Sequence, residues 1–385
     1  MNPYYLLLLL ALLFSGCAQP PAPLPPPIDA APLRSASFEE LPMWQESTPA
    51  AALDTFLNSC RAISKQEDWA KVCNEALFVA SGDEQAARQF FETGFTPWQL
   101  VNEDSSLTGT ITGYYVPEMA GSRTPDATFK YPIYAQPDDL LTIDLGEIYP
   151  ELSNYRLRGR IEGHRVIPYF PRGEIDGAGH PLAGNELFWV ADPVELFFLH
   201  IQGSGRILLP DSEKVMLNYA NQNGQRYQSI GKLLLEREAM SRDQMSMQNI
   251  RRWVKENPEA GRKLLDENPS YVFFRELEAG VESPPGALGI PLSAERSLAV
   301  DRRSIPLGAP VFLATTWPNS GEPLSRLMVA QDTGGAIKGR VRADFFWGMG
   351  SDAGALAGRM KQQGRLWVLL PKSMLPVAGH LVSKR

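Results

Sequence analysis

The sequence predicts a mainly β protein with flanking helices, with a barrel in its β part and a length of roughly two domains. Three observations carry this. From about Leu107 onwards short apolar segments recur, separated by turns rich in glycine and proline, of which the chain has 32 each; frequent short strands with such turns suggest a barrel. Between Thr48 and Gly94 the apolar residues are instead spaced at the 3.6 period of amphipathic helices. The length, 385 residues, is that of roughly two domains.

The chain opens on Leu6 to Phe14, an unbroken apolar run. It is too short to span a bilayer as a mature helix and fits the apolar core of a signal peptide over residues 1–16. No Lys or Arg precedes it. The run ends in Leu13-Phe14-Ser15-Gly16-Cys17, which resembles a bacterial lipobox with lipid on Cys17, although Phe14 stands where Leu is commoner. Ala18 follows Cys17, as in lipoproteins sorted to the outer membrane and facing the periplasm. Ala18 to Arg34 holds seven prolines and reads as a semi-rigid spacer, making 17–34 an anchor and linker.

Thr48-Pro49 starts a helix with Leu53, Phe56, Leu57, Cys60 and Ile63 on one face. A second carries Trp69, Val72, Cys73, Ala76 and Leu77, and a third runs from a capping box at Ser81…Glu84 to Gly94. Cys60 and Cys73 are the thiols left once Cys17 is lipidated. An even count in an oxidising compartment permits a disulfide; two buried free thiols are the alternative.

Strands are expected at Gly109 to Val116, Tyr131 to Tyr134, Leu187 to Val190 and Leu196 to Ile201, the last running into Gln202-Gly203-Ser204-Gly205-Arg206. There the glycines would leave backbone bare while Gln and Ser offer hydrogen bonds, as a sugar-binding rim would; a plain glycine hairpin is the other reading. Tyr219 to Gly224 looks turn-like. Helices follow from Ser229, and from Ser246 to Asn257, ended by Pro258. Strand character returns at Tyr271 to Arg275, Leu298 to Val300 and Val311 to Leu313. Ser351 and Asp352 cap a last helix, and Leu366 to Leu370 is a last buried strand.

A net charge of -7 without a basic stripe argues against nucleic acid as a partner. The histidines His164, His180, His200 and His380 are scattered and lack metal-ligand spacing, so neither a metal nor a cofactor is expected. His200 reads as a satisfied core histidine. Gly203-Ser204-Gly205 is not a nucleophile elbow.

Carboxylates remain. In QDTGGAIKGRVRADFFWGMG (Gln331 to Gly350), Asp332 ends an apolar strand at a Thr-Gly-Gly turn, and Asp344 opens the run Phe345-Phe346-Trp347. Two acids at strand ends beside aromatic rings suit glycoside chemistry, although Asp is also an ordinary turn residue. Asp344 is the better general acid, since aromatic walls would raise its pKa by desolvation. Asp332 would orient the site or keep Asp344 protonated. Asp352, at a helix start, reads as structural.

Several motifs in order, TGYY (Thr112 to Tyr115), YPIY (Tyr131 to Tyr134), DPVELFFLHIQGSGRI (Asp192 to Ile207), YANQNGQRYQSIG (Tyr219 to Gly231), NPSYVFF (Asn268 to Phe274), GALGIPL (Gly286 to Leu292) and DTGGAIKG…DFFWG, resemble the membrane-bound lytic murein transglycosylase A family. Val116 departs, standing where an acid often follows the tyrosines. The resemblance implies a discontinuous double-psi β-barrel domain (35–113 with 260–385), an inserted second β-barrel domain (114–259) and a groove between them. It implies peptidoglycan glycan strands as substrate, cut between N-acetylmuramic acid and N-acetylglucosamine with a 1,6-anhydro product. One aspartate, Asp344, would act as acid and then base. Thr112, Tyr114, Gln202, Ser204, Gly205, Tyr271, Phe274 and Gly334 would contact substrate. Other wall-remodelling proteins are further expected partners. Two rivals stand beside this reading: a hydrolase using Asp332 as base, and a non-catalytic wall-binding lipoprotein.

Overall fold

Six strands close into a barrel. In chain order they are β1 (Gly109–Val116), β2 (Ser297–Val300), β3 (Pro310–Thr316), β4 (Pro323–Asp332), β5 (Ala343–Met349) and β6 (Lys361–Pro371). Round the barrel they run β6, β3, β4, β2, β5, β1, and β1 pairs back onto β6. The β2–β4 and β5–β1 pairs are parallel and the other four antiparallel. Closure removes the exposed edges that an open sheet would leave. The computed structural model describes residues 33–374, apart from 153, 154, 156 and 243. The expected signal peptide, Cys17 and nearly all of the linker lie outside the described residues.

Alternation sends one face of each strand inward. Ile111, Leu298, Val300, Val311, Leu313, Met328 and Phe345 are fully buried in one cluster. The helices Ala50–Ile63, Glu67–Ala76 and Glu84–Gly94 add their apolar stripes to it. Phe56 meets Phe90, Phe91 and Phe95 at 5.7–6.4 Å between ring centroids. Cys60 and Cys73 are joined as a disulfide with their Cα atoms 5.5 Å apart, tying the first two helices together.

Between β1 and β2 in sequence, a second sheet forms in the order Val272–Glu276, Lys214–Gln222, Ser204–Leu208, Glu118–Ser122, Glu186–Val190, Tyr131–Tyr134. A bridge between Ala135 and Phe274 joins its two edges. The chain passes from β1 straight into this sheet through Pro117. Val116, Met216 and Phe346, drawn from both sheets, form a small apolar cluster with Leu292 of the connecting loop, and Tyr114 packs against it.

Several expectations change. Leu196 to Ile201 is not a strand but part of the helix Pro193–Gln202. Asp192 caps it, accepting from the Val194 and Glu195 amides at 2.8 and 3.2 Å. Pro193 fits its first turn, and Gly203 ends it at φ 76°. A continuous apolar run carries no period, so the capping residues decide. The third helix is capped by Asp83 rather than Ser81. Thr48 does not cap the first helix; its hydroxyl accepts from Arg296, and the Ala50 amide donates to Glu84 instead. Tyr219 to Gln222 continues a strand. Pro258 ends one helix and begins the next, Pro258–Asp266. The last helix, Gly350–Ala357, starts ahead of Ser351 and Asp352. The expected spacer stops short of Arg34, because Leu33–Ser35 pairs with Trp98, Gln99 and Leu100.

Candidate active site

The parallel pairing of β5 with β1 sets Asp344 beside Thr112 and Phe346 beside Tyr114. Successive side chains alternate along a strand, so these four share one face. Phe345 points the other way, into the barrel, with Trp347 against it at 4.4 Å. Of the three rings after Asp344, Phe346 is therefore the one that walls the site, and it packs on Tyr114 at 5.0 Å.

Thr112 Oγ1 donates to Asp344 Oδ1 at 2.6 Å. The same hydroxyl accepts from an Arg342 guanidinium nitrogen at 2.8 Å. Arg342 also donates to the Thr110 carbonyl at 3.2 Å and to the Ala343 carbonyl. Burial pushes the Asp344 carboxyl up to about 6; the Thr112 hydrogen bond and the Arg342 charge oppose the rise, and the Asp332 charge adds to it. Asp344 keeps some surface open to solvent. It is thus a half-buried residue whose carboxyl is pushed up to about 6.

Asp332 ends β4. Ala299 of β2 is the register partner of both Asp332 and Asp344, so the two acids flank one strand. Two strand spacings put their Cα atoms roughly 9.5 Å apart. Asp332 Oδ1 accepts from the Ala287 and Thr333 amides at 2.9 and 2.8 Å. Burial raises its pKa while these amides oppose the rise. Its carboxyl pins the turn at Gly286–Ala287 to the end of β4. Burial, followed by the charges of Asp332 and Asp344, holds the Tyr114 phenol well above its ordinary value. That hydroxyl also bears on the Asp332 carboxyl, and the interaction raises the phenol and lowers the carboxyl.

The second sheet reaches the same seam. Gln202 Oε1 accepts from the Tyr115 amide at 3.1 Å, which leaves its NH2 group as the part offered to a ligand. Ser204 Oγ accepts from Asn218 at 3.0 Å; Asn218 also donates to the Pro285 carbonyl at 3.3 Å and accepts from Arg275. A chain of bonds therefore runs from Ser204 through Asn218 to the turn that Asp332 holds. Gly334 sits in a tight turn, where an added Cβ would lie 2.7 Å from Ile337.

Three expected contacts do not face open space. Tyr271 and Phe274 are 0 % and 1 % exposed, packed with His200 and Arg172 inside the second sheet. Gly205 is buried too: an added Cβ would come within 2.4 Å of the Leu199 side chain, so its missing side chain serves packing. His200 is a core histidine, but in a helix and only half satisfied: Nδ1 lies 2.8 Å from Arg172, while the buried Nε2 meets no hydrogen-bond partner among the described residues. Arg342, Asn218 and Ala287 went unforeseen. Arg342 carried a signal, since it lies two residues before Asp344 and period two puts both on one face.

Family models and relatives agree with this architecture. A model described as the MltA specific insert domain matches residues 110–275, and one described as the 3D domain matches 296–370. The chain is 35% identical over 300 residues to membrane-bound lytic murein transglycosylase A of Vibrio cholerae, covering 76% of this chain and 72% of that protein. It is 32% identical over 362 residues to the Escherichia coli protein of the same name, covering 92% and 86%. The crystal structure of MltA from Neisseria gonorrhoeae superposes with a TM-score of 0.80 at 38% identity, over 90% of this chain and 94% of that one. The E. coli MltA structure with bound chitohexaose superposes at 0.64 and 32% identity, over 83% and 90%. Extended identity and a shared two-barrel fold place this chain in the membrane-bound lytic murein transglycosylase A family.

Proposed function

We propose that this protein cleaves peptidoglycan as a lytic transglycosylase with Asp344 as its one acid–base group. The carrying observation is a half-buried aspartate, its carboxyl pushed up to about 6, on the strand face shared with Thr112 and Tyr114. The protonated carboxyl gives its proton to the glycosidic oxygen between N-acetylmuramic acid and N-acetylglucosamine, and the C1–O bond breaks. The muramic 6-hydroxyl then bonds to C1, its proton passing to the Asp344 carboxylate. The 1,6-anhydro ring closes, the N-acetylglucosamine leaves with a free hydroxyl, Asp344 is again protonated, and no water is consumed. One group serving both steps is general acid–base catalysis run in two directions. The Gln202 amide, Ser204, Thr112, Tyr114 and the Gly334 turn supply substrate contacts. Asp332, occupied by two backbone amides, orients the site and does not act as a base. Asp344→Asn should cost about 10²–10⁴-fold in turnover of purified sacculi, and Asp332→Asn less. Comparable losses for the two variants would favour a two-carboxylate hydrolase, and full activity in Asp344→Asn would refute the assignment.

The catalytic domain comprises 35–113 with the C-terminal part of the chain, and the second barrel is its insert. We draw the end of the insert after Glu276 rather than at 259, because Val272–Glu276 pairs with Lys214–Gln222. The relatives' name includes membrane association, and the Gly16-Cys17 lipobox accounts for it here as an outer-membrane lipid anchor facing the periplasm. Cys17→Ala should release the protein from the outer-membrane fraction; continued lipid labelling of that variant would refute the anchor.

A further inference from the structure

We propose that Arg342 is a positioning residue that fixes which oxygen of Asp344 carries the catalytic proton, acting through the Thr112 hydroxyl. This rests on Asp344 being the acid–base group. A threonine hydroxyl has one proton to donate and lone pairs to accept with. Arg342 donates to Thr112 Oγ1 at 2.8 Å and has no acceptor of its own, so it occupies a lone pair of that oxygen. The hydroxyl proton is thereby directed to Asp344 Oδ1, 2.6 Å away. With Oδ1 accepting that bond, the acid proton resides on Oδ2. Both proton transfers, to the leaving oxygen and from the 6-hydroxyl, then pass through one oxygen with one orientation.

The guanidinium is itself held. Its bonds to the Thr110 and Ala343 carbonyls belong to β1 and β5, the two strands whose pairing sets Thr112 beside Asp344. Lysine could supply the charge but not three directed bonds from one planar head. Arg342 has a second effect through its charge. The groups that bear on Asp344 are Arg342, Thr112 and Asp332, with the Tyr114 phenol close by; of these Arg342 alone is cationic. It holds the Asp344 carboxyl lower than burial and Asp332 together would leave it.

The test is a pH–rate series on purified sacculi with Arg342→Met, Arg342→Lys, Thr112→Val and the Arg342→Met/Thr112→Val pair, alongside Asp344→Asn. Arg342→Met should lower the plateau turnover about tenfold or more, since small misplacements of a reacting group cost up to about 10²-fold. KM should stay within about twofold, and the alkaline limb should move to higher pH. Arg342→Lys should restore the position of the limb and only part of the plateau. On the plateau the double variant should match Thr112→Val alone, because Arg342 has nothing left to act through. Direct carbon NMR titration of Asp344 should show the same upward move in Arg342→Met, independently of activity. An unmoved limb with unmoved titration, or plateau losses that multiply in the double variant, would overturn the proposal. An active Asp344→Asn would instead overturn the acid–base reading beneath it, so the two failures are distinguishable.

Discussion

Asp344→Asn should make the native protein more stable at alkaline pH while removing its activity. The carboxyl is raised from 3.8 to about 6 by burial. A group whose folded pKa lies above its unfolded value binds its proton more tightly in the native state. Stability from that proton is fully present below pH 3.8 and is lost as pH rises through about 6. The interval of about 2.2 units, at roughly 1.36 kcal/mol per unit, corresponds to about 3 kcal/mol at pH 8. Asparagine has nearly the same volume, can still accept from Thr112, and never ionises. With a melting entropy of roughly 2.1 cal/mol/K per residue, a body of about 340 residues gains about 4 °C from 3 kcal/mol. Melting the two proteins side by side at pH 8 and pH 4 is the assay. The variant should lead at pH 8, and the lead should vanish at pH 4. Equal stability at pH 8, or a lead that does not change with pH, would refute the raised pKa and the acid it supplies.

Two further outcomes follow from the packing and the site. Gly205→Ala should destabilise by roughly 1–3 kcal/mol in urea unfolding, because the new Cβ meets Leu199 at 2.4 Å; an unchanged midpoint would return Gly205 to the list of ligand-facing positions. The alkaline limb of wild-type turnover should fall near pH 6, where Asp344 loses its proton; a limb near pH 4 would mean that burial does not shift it.

The barrel and its two acids were legible for a physical reason. Asp332 and Asp344 end and open apolar strands, and a strand boundary marked by Asp and glycine is a local signal. The helices before Gly94 were legible through their period. Pro193–Gln202 was not, since a continuous apolar run has no period even where, as at Ile201, one of its residues faces solvent, and only Asp192-Pro193 and Gly203 betrayed it. Tyr271 and Phe274 show a different limit: an aromatic run suits a sugar-stacking wall and a barrel core equally, and closure of the second sheet onto Ala135 decides for the core. The Arg342–Thr112–Asp344 chain spans β1 and β5, which lie far apart in sequence. Period two could place Arg342 on the face of Asp344, but only the parallel register brings Thr112 to both.

The central claim is that the nucleophile is the sugar's own hydroxyl. Digestion of sacculi by the wild-type protein in ¹⁸O-water, followed by mass spectrometry of the primary products, tests it most directly. The account predicts 1,6-anhydromuramic ends free of label, because the bridging oxygen comes from the sugar. Labelled reducing ends as the primary product would show that water attacks C1, and would contradict it.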